Sequence, residues 1–487
     1  MANTEHNFDV VVIGSGVAGL SAAVSAQEHG ARVCIVERAT AEEAGGNTRW
    51  TGSYIRMKSV DEVSDDFEDH LIANGGGYLE PTLMAEAARD PAQWPPTLRA
   101  LSFVDPNVVA RLANDSPGTL KWLCGYGLQF FPLEVPFPTA AQPRIVPSGG
   151  GLAIVETLSK KFLEKGGTVL YETKAESLIQ NDEGAVCGVN AIGRGNKRMQ
   201  VRGHGVVIAS GGFQGNAEMM TRYIGPRALN LRGMSLGCHF NKGEGIQMAL
   251  DIGAAPCGDF GSFHASPMDP RSNRAGPSMY MYPYGILVNK EGQRFVDEGP
   301  GETDETYERV TRRIFAQTDG LAYCILDAKF ADVPNKQSAI KTEQPPIEAP
   351  TLRELAAKLE LQADILEKTI ADYNAACVAG TYDPRRVDGL STRGITPPKS
   401  NWARPLDQGP FLAYPIISSI VFTFGGLKTD TTARVINTQG DAIPGLYAAG
   451  EVQGLYYHNY TGATSVLKGA VFGRIAGQDA AELAKAD

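Results

Sequence analysis

The sequence predicts an α/β fold: a Rossmann-like domain, discontinuous in the chain, that carries an inserted α+β cap. Three features predict it. A glycine fingerprint, Gly14-Ser15-Gly16-Val17-Ala18-Gly19, stands at the front, and a second glycine segment, Gly445-Leu446-Tyr447-Ala448-Ala449-Gly450-Glu451, follows more than 400 residues later. Between about Pro256 and Ile420 the texture changes. Prolines cluster there (Pro345, Pro346, Pro350, Pro397, Pro398, Pro405), and tyrosines concentrate at Tyr280, Tyr282, Tyr284 and Tyr307. The expected units are 1–257 and 420–487 for the two parts of the sheet domain, with 258–419 as the cap.

The apolar run Val10-Val11-Val12-Ile13 reads as a buried strand, and Leu20-Ser21-Ala22-Ala23-Val24 as the helix after it. The glycines therefore fall at the strand-to-helix turn. Lacking a Cβ, they let backbone approach a pyrophosphate, to which the helix start offers free N–H groups and positive dipole charge. Glu37 lies 18 residues after Gly19, at the end of the run Val33-Cys34-Ile35-Val36, where a carboxylate can accept both ribose hydroxyls. Next comes Gly45-Gly46-Asn47-Thr48-Arg49-Trp50-Thr51-Gly52, a small, polar loop suited to wrapping a cofactor.

A glycine run at 149–151 precedes an amphipathic helix, Ala153 to Lys165, then a strand, Thr168 to Tyr171. Val186 to Ile192 and Gly205 to Ile208 read as further strands, the latter ending in Ser210-Gly211-Gly212, which brings backbone close to the cofactor. The chain ends in a helix, Gly462 to Lys485, expected to aim its start at the ring of the cofactor. Two glycine half-motifs enclosing the chain point to one bound FAD. Its expected contacts are Gly14, Gly16, Ala18, Gly19, Glu37, Arg38, Gly46, Asn47, Thr48, Thr51, Gly52, Ala175, Ser210, Gly211 and Gly212.

A net charge of −10 argues against nucleic-acid or anionic-membrane partners. Seven scattered cysteines without a CxxC pair suggest neither a disulfide framework nor a metal site, and a reducing cytoplasm fits them. Met1 to His6 lack the basic and apolar regions of a secretion signal, and no stretch approaches a membrane span. No CxxCH segment is present to attach a c-type haem, so electrons are expected to leave to a separate acceptor.

The fingerprint, the Gly-Gly-Asn-Thr loop, Asn241-Lys242-Gly243-Glu244-Gly245-Ile246, the segment Ile286 to Glu298 and the ending Gly445 to Gly477 together resemble the fumarate reductase/succinate dehydrogenase flavoprotein superfamily. The resemblance implies that Glu451 holds the ribityl or phosphate region of FAD, and that backbone N–H groups at Ser465 and Val466 stabilise the reduced ring. The chain departs from true fumarate reductases. It reads Val421-Phe422-Thr423-Phe424-Gly425-Gly426 where they place a histidine, and it lacks their arginine shortly after Glu298. The run Gly454 to Tyr460, with Tyr282-Pro283-Tyr284-Gly285 and Lys399 to Ala403, is more similar to the tricarballylate dehydrogenase branch, which desaturates a tricarboxylate to cis-aconitate. Tyrosine use also resembles, more distantly, the 3-ketosteroid dehydrogenases. That superfamily attaches FAD covalently through a histidine near Asn47-Thr48-Arg49, and none is present here, so non-covalent FAD is expected.

Desaturation beside a carbonyl or carboxylate requires a base for the α-proton, an electrophilic clamp on the activating group and an acceptor for the β-hydride. The expected activity is oxidation of a C–C bond adjacent to a carboxylate, with a cyclic-ketone or ketosteroid desaturase, or an enoate reductase, as alternatives. His458 and Tyr460 are the candidates for proton transfer, Tyr307 the candidate from the cap, and His264 a candidate hydrogen-bond donor to substrate. Arg49, Arg56, Arg144, Arg232 and Arg274 are the candidate anion clamps, of which one or two are expected to touch substrate. A tricarboxylate site needs several cations, whereas a ketone site needs oxyanion donors in an apolar pocket.

Overall fold

The structure is a computed structural model, described here over residues 4–76, 79–133 and 143–486. Met1 to Asn3 of the amino-terminal stretch considered above lie outside the described residues. The nucleotide-binding part is a six-stranded sheet in the order Arg434–Ile436, Ala442–Ala448, Gly205–Ile208, Val10–Ile13, Val33–Val36 and Thr168–Leu170. All its neighbours pair in parallel except the first two strands, which are antiparallel.

The three central strands are buried at every residue, because both faces of the sheet are covered. Val10, Val12 and Ile35 face the helices Val17–Glu28, Gly150–Glu164 and Ser465–Ala486. Val11, Ile13 and Cys34 face a four-stranded sheet built from Thr4–Asn7, Lys197–Arg202, Val186–Gly193 and Lys174–Gln180. The first and last helices pack backbone to backbone. A Cβ on Gly473 would lie 2.2 Å from the Ala18 carbonyl oxygen, and one on Gly477 would lie 2.1 Å from that of Ala22. The two ends of the chain are thereby fixed side by side.

The inserted region builds a second sheet around the thirteen-residue strand Phe411–Thr423. Phe263–Met268, Leu321–Leu326 and Ile347–Ala349 pair with it in antiparallel fashion. Its far end, Val421 to Thr423, reaches the cofactor cavity. Register shifts between His264 and Ala265, which pair with Phe422 and Ile420, so Val421 is the extra residue of a bulge. Bulges re-aim side chains, and this one sits where His264 meets the cavity. The helix Thr303–Phe315 packs over this strand pair and presents Asp304, Tyr307 and Glu308 at near one-turn spacing.

The helix expected from Ala153 starts at Gly150, and the one expected from Gly462 starts at Ser465. The second difference has a local cause. Ala463 has φ +64°, which no right-handed helix accommodates, and the Tyr460 hydroxyl takes the N–H groups of Thr464 and Ser465 that open the helix. Among the described residues, no helix is long and apolar enough to cross a membrane.

Candidate active site

One cavity of about 860 Å³ runs from the glycine turn to the inserted region, a volume within the range of about 300–1,000 Å³ usual for ligand pockets. Gly14, Gly16, Ala18, Glu37, Arg38, Gly46, Asn47, Thr48, Thr51, Gly52, Ala175, Ser210, Gly211, Glu451, Ser465 and Val466 all stand on its wall. Gly19 and Gly212 do not. They are packing glycines: a Cβ on Gly19 would lie 2.0 Å from the Gly14 oxygen, and one on Gly212 would lie 2.0 Å from Thr423 Oγ1 and 2.2 Å from Glu451 Oε1.

At the glycine turn Gly14 has φ +100°, and a Cβ there would meet the Ala209 oxygen at 2.5 Å. Thr48 Oγ1 accepts the Val17 N–H at 3.1 Å, tying the polar loop to the first helix. Glu37 is held by the Ser15 N–H at 2.9 Å and the Ala39 N–H at 2.7 Å, which fixes its carboxylate on the wall. Arg38 pairs with Glu244 at 2.5 Å. A cradle that only glycine fits, a buried acid beside it and a helix start opening on it are what the adenosine diphosphate half of FAD requires. Gly14→Ala is expected to weaken FAD binding by at least about tenfold, ~1.4 kcal/mol, read as the flavin-to-protein absorbance ratio of the purified chain.

Further along, Glu451 is buried. Its Oε1 accepts the Thr423 N–H at 2.9 Å, and its Oε2 accepts from Asn241 Nδ2 at 3.2 Å and Gln214 Nε2 at 3.4 Å. Burial pushes its carboxyl up to about 7, against the pull of those donors. Lys468, in the first turn of the last helix, is also buried on the wall and gives its ammonium to the Gln453 carbonyl at 2.6 Å. Burial pushes it down to about 7, with Glu451 opposing. The sequence reading missed Lys468, Thr423, Gln214 and Asn241.

At the opposite end, Tyr460, Tyr307 and His264 come together, as three of the four proton-transfer and substrate candidates. The Tyr460 oxygen accepts the Thr464 and Ser465 N–H groups at 3.0 Å each and donates to Ser465 Oγ at 3.0 Å. Its ring lies 4.4 Å from that of His264, centroid to centroid, and 5.0 Å from that of Phe422. The Tyr307 hydroxyl is 3.3 Å from His264 Nε2, and His264 Nδ1 is 3.9 Å from Glu308 Oε1. Tyr280 stacks edge-on to Tyr307, with ring centroids 5.5 Å apart. Burial first, then Tyr280, Glu308 and Asp304, hold the Tyr307 hydroxyl well above the ordinary tyrosine range.

Glu308, also missed, anchors the group. It accepts the Tyr460 N–H at 2.8 Å and pairs with Arg312 at 3.1 Å. Burial raises its carboxyl, but His264, Arg312 and the Tyr460 N–H outweigh it and hold the group below its ordinary 4.5. Glu308 therefore contributes stability that is complete above pH 4.5 and is lost as pH falls below it. Glu308→Gln is expected to melt below wild type at pH 7 and to converge with it in acid, measured as Tm against pH.

The fourth candidate, His458, is a correction. It is exposed, its backbone N–H donates to the Asn74 carbonyl, and it lines no part of the cavity, because the chain turns outward between Tyr457 and Tyr460. Four of the five arginines do not line the cavity. Arg49 turns back to the Ala44 carbonyl and lies 5.8 Å over the Trp50 ring. Arg232 clamps the Pro270 and Ser272 carbonyls at 2.7 and 2.8 Å, and Arg274 is exposed near Glu343. Arg56 is buried behind the wall on Asp66 at 2.6 Å. Arg144 alone of the five lines the cavity, and it is bound to Asp304 at 2.7 Å. Lys341, exposed and about 6.0 Å from the Tyr54 ring, is the other cation at this end.

The FAD binding domain family matches residues 9–467. The chain is 30% identical over 98% of its length to an NADH:acrylate oxidoreductase of Vibrio harveyi, and it spans 51% of that relative, about half. It is 28% identical over its whole length to a fumarate reductase (cytochrome) of Shewanella frigidimarina, spanning 79% of it. Among solved structures, a 3-ketosteroid-Δ4-(5α)-dehydrogenase from Rhodococcus jostii RHA1, in complex with 4-androstene-3,17-dione, superposes with a TM-score of 0.71 at 25% identity, covering 99% of this chain and 98% of that one.

Proposed function

This chain belongs to the FAD binding domain family, within the fumarate reductase/succinate dehydrogenase flavoprotein superfamily, and on that footing we propose that it is an FAD-dependent oxidoreductase acting on a C–C bond beside a carbonyl, with a cyclic ketone as substrate. The observation that carries the reading is the Tyr460 hydroxyl, seated on two helix-start N–H groups beside the Tyr307–His264–Glu308 series. Bound FAD supplies the hydride acceptor, or the donor in the reverse direction.

The two N–H groups draw electron density from the Tyr460 oxygen, so its hydrogen, given to Ser465 Oγ in this structure, becomes a stronger donor when it turns to a substrate carbonyl. Charge that develops on that carbonyl as the α-proton leaves is thus met by a positioned donor. Tyr307 takes the α-proton. Held well above its ordinary range, it does not stand as a phenolate, so its own proton must move to His264 Nε2 as the new one arrives. The imidazolium then faces Glu308, which is kept ionised. Tyr280, Phe422 and Tyr456 wall the same space and limit water there.

A tricarballylate-like substrate would need several free cations. This end offers Arg144, already paired to Asp304, and the exposed Lys341, among many tyrosines and serines. That balance favours a ketone. A second reading, an enoate with one carboxylate, draws on Arg144 and on the likeness to the acrylate and fumarate reductases. Anaerobic mixing of the FAD-loaded protein with cyclohexanone, a 3-ketosteroid, succinate and tricarballylate separates them. Bleaching of the flavin by ketones is expected; bleaching by the carboxylates alone would overturn the ketone assignment.

We also propose that FAD is held non-covalently. Among the described residues, His264 is the one histidine on the cavity wall, and no cysteine lines it. Acid precipitation is expected to leave the yellow colour in the supernatant, and flavin retained by the pellet would contradict this.

A further inference from the structure

Behind Tyr307 and Tyr460 lies a second, polar cavity of about 90 Å³. It shares Arg144, Asp304, Tyr307, Tyr460 and Gly462 with the main cavity, so the two meet at the residues that handle the proton. Arg56 and His70 line it and take no part in the main cavity. The Arg56 side chain is 3% exposed, and its Nε has no hydrogen-bond partner within the protein. A buried guanidinium with an orphaned donor beside a polar space of this size calls for ordered water. Arg56 Nη2 lies 2.6 Å from Asp66 Oδ2, and His70 Nδ1 lies 3.3 Å from that oxygen and 3.5 Å from Arg56 Nη2. The His70 side chain is 35% exposed, so it stands between the cavity and solvent.

We propose that this second cavity is the proton exit of the site, with His70 as the relay between its water and the solvent. The inference rests on the oxidoreductase reading above and adds the route by which its proton leaves. The proton taken from the substrate carbon is held on Tyr307 and His264, passes from the Tyr307 hydroxyl to cavity water, then to His70, and His70 gives it to bulk water. Arg144 and Arg56 do not carry it, because guanidinium does not deprotonate; they order the water. The groups facing His70 are Arg56, Asp66 and Glu305, with Arg309 on the same cavity wall. Burial first, then Arg56, lowers its pKa from 6.5, against Asp66 and Glu305, so the ring is neutral and able to accept at pH 7.

The test uses the full chain loaded with FAD and a substrate that bleaches it. In one anaerobic turnover, flavin bleaching and proton release to a pH-indicator dye are followed together. Wild type is expected to release its proton in step with bleaching. In His70→Ala, bleaching is expected to keep its rate while proton release lags by at least about tenfold, and added imidazole is expected to restore it saturably. His70→Gln, which retains a side chain of similar size, gives the same readout without rescue and guards against a folding loss in the alanine variant. Release that keeps pace with bleaching in both variants overturns the proposal, as does a lag in His70→Ala that imidazole leaves untouched. If no carbonyl compound or carboxylate bleaches the wild-type flavin, the oxidoreductase reading itself fails, a distinct outcome.

Discussion

Tyr460→Phe is expected to lower kcat by about 10²–10³-fold, ~2.7–4 kcal/mol, the usual consequence of removing one donor to a developing oxyanion. The phenylalanine ring retains the contacts with His264, Phe422 and Tyr456 and removes the oxygen alone. FAD content should not change, since the glycine cradle, Glu37 and Glu451 are untouched. KM is expected to move far less than kcat, because the charge that the hydroxyl meets develops in the transition state. The variant also leaves the Thr464 and Ser465 N–H groups without their acceptor, which resembles the loss of a helix cap and costs ~1 kcal/mol. A small fall in Tm with a large fall in kcat is therefore the signature. A fall in Tm with kcat unchanged would reduce Tyr460 to a cap.

Tyr307→Phe is expected to cost about 10²–10⁴-fold in kcat, as the loss of a positioned acid–base group does. His264→Ala should be slow for the same reason, because Tyr307 would lose the imidazole that takes its own proton as the new one arrives. Residues that act as one unit are not additive. The double variant is accordingly expected to be about as slow as Tyr307→Phe alone. Steady-state kinetics of the two single variants and the double variant read this directly, and multiplied defects would show that His264 acts apart from Tyr307.

The nucleotide half of the site was legible because its signals are local. Strand, glycine turn, helix and acid follow one another within 30 residues, and each has a residue pattern of its own. The catalytic end is assembled from segments far apart in the chain. Glu308 lies in Thr303–Phe315, whose many charges read as a solvated face; its burial arises only when that helix covers the strand carrying His264. Arg232 and Arg274 were misplaced because an arginine that clamps carbonyls and one that clamps substrate look alike in a sequence. In Tyr456-Tyr457-His458-Asn459-Tyr460 the first two side chains are buried, the next two exposed and the last turned inward, a pattern set by Ala463 and the helix start. Lys468 did leave a signal. It lies in Val466-Leu467-Lys468-Gly469-Ala470-Val471-Phe472, an apolar run in which a solvated lysine has no exposed face to occupy.

The most direct measurement is the anaerobic rate of flavin bleaching by a cyclic ketone carrying deuterium at the β-carbon, compared with the unlabelled compound. Transfer of that hydrogen to bound FAD requires the labelled ketone to bleach the flavin several-fold more slowly. Equal rates, or a fully loaded protein that no carbonyl compound bleaches, would contradict the assignment of this cavity to C–C bond oxidation.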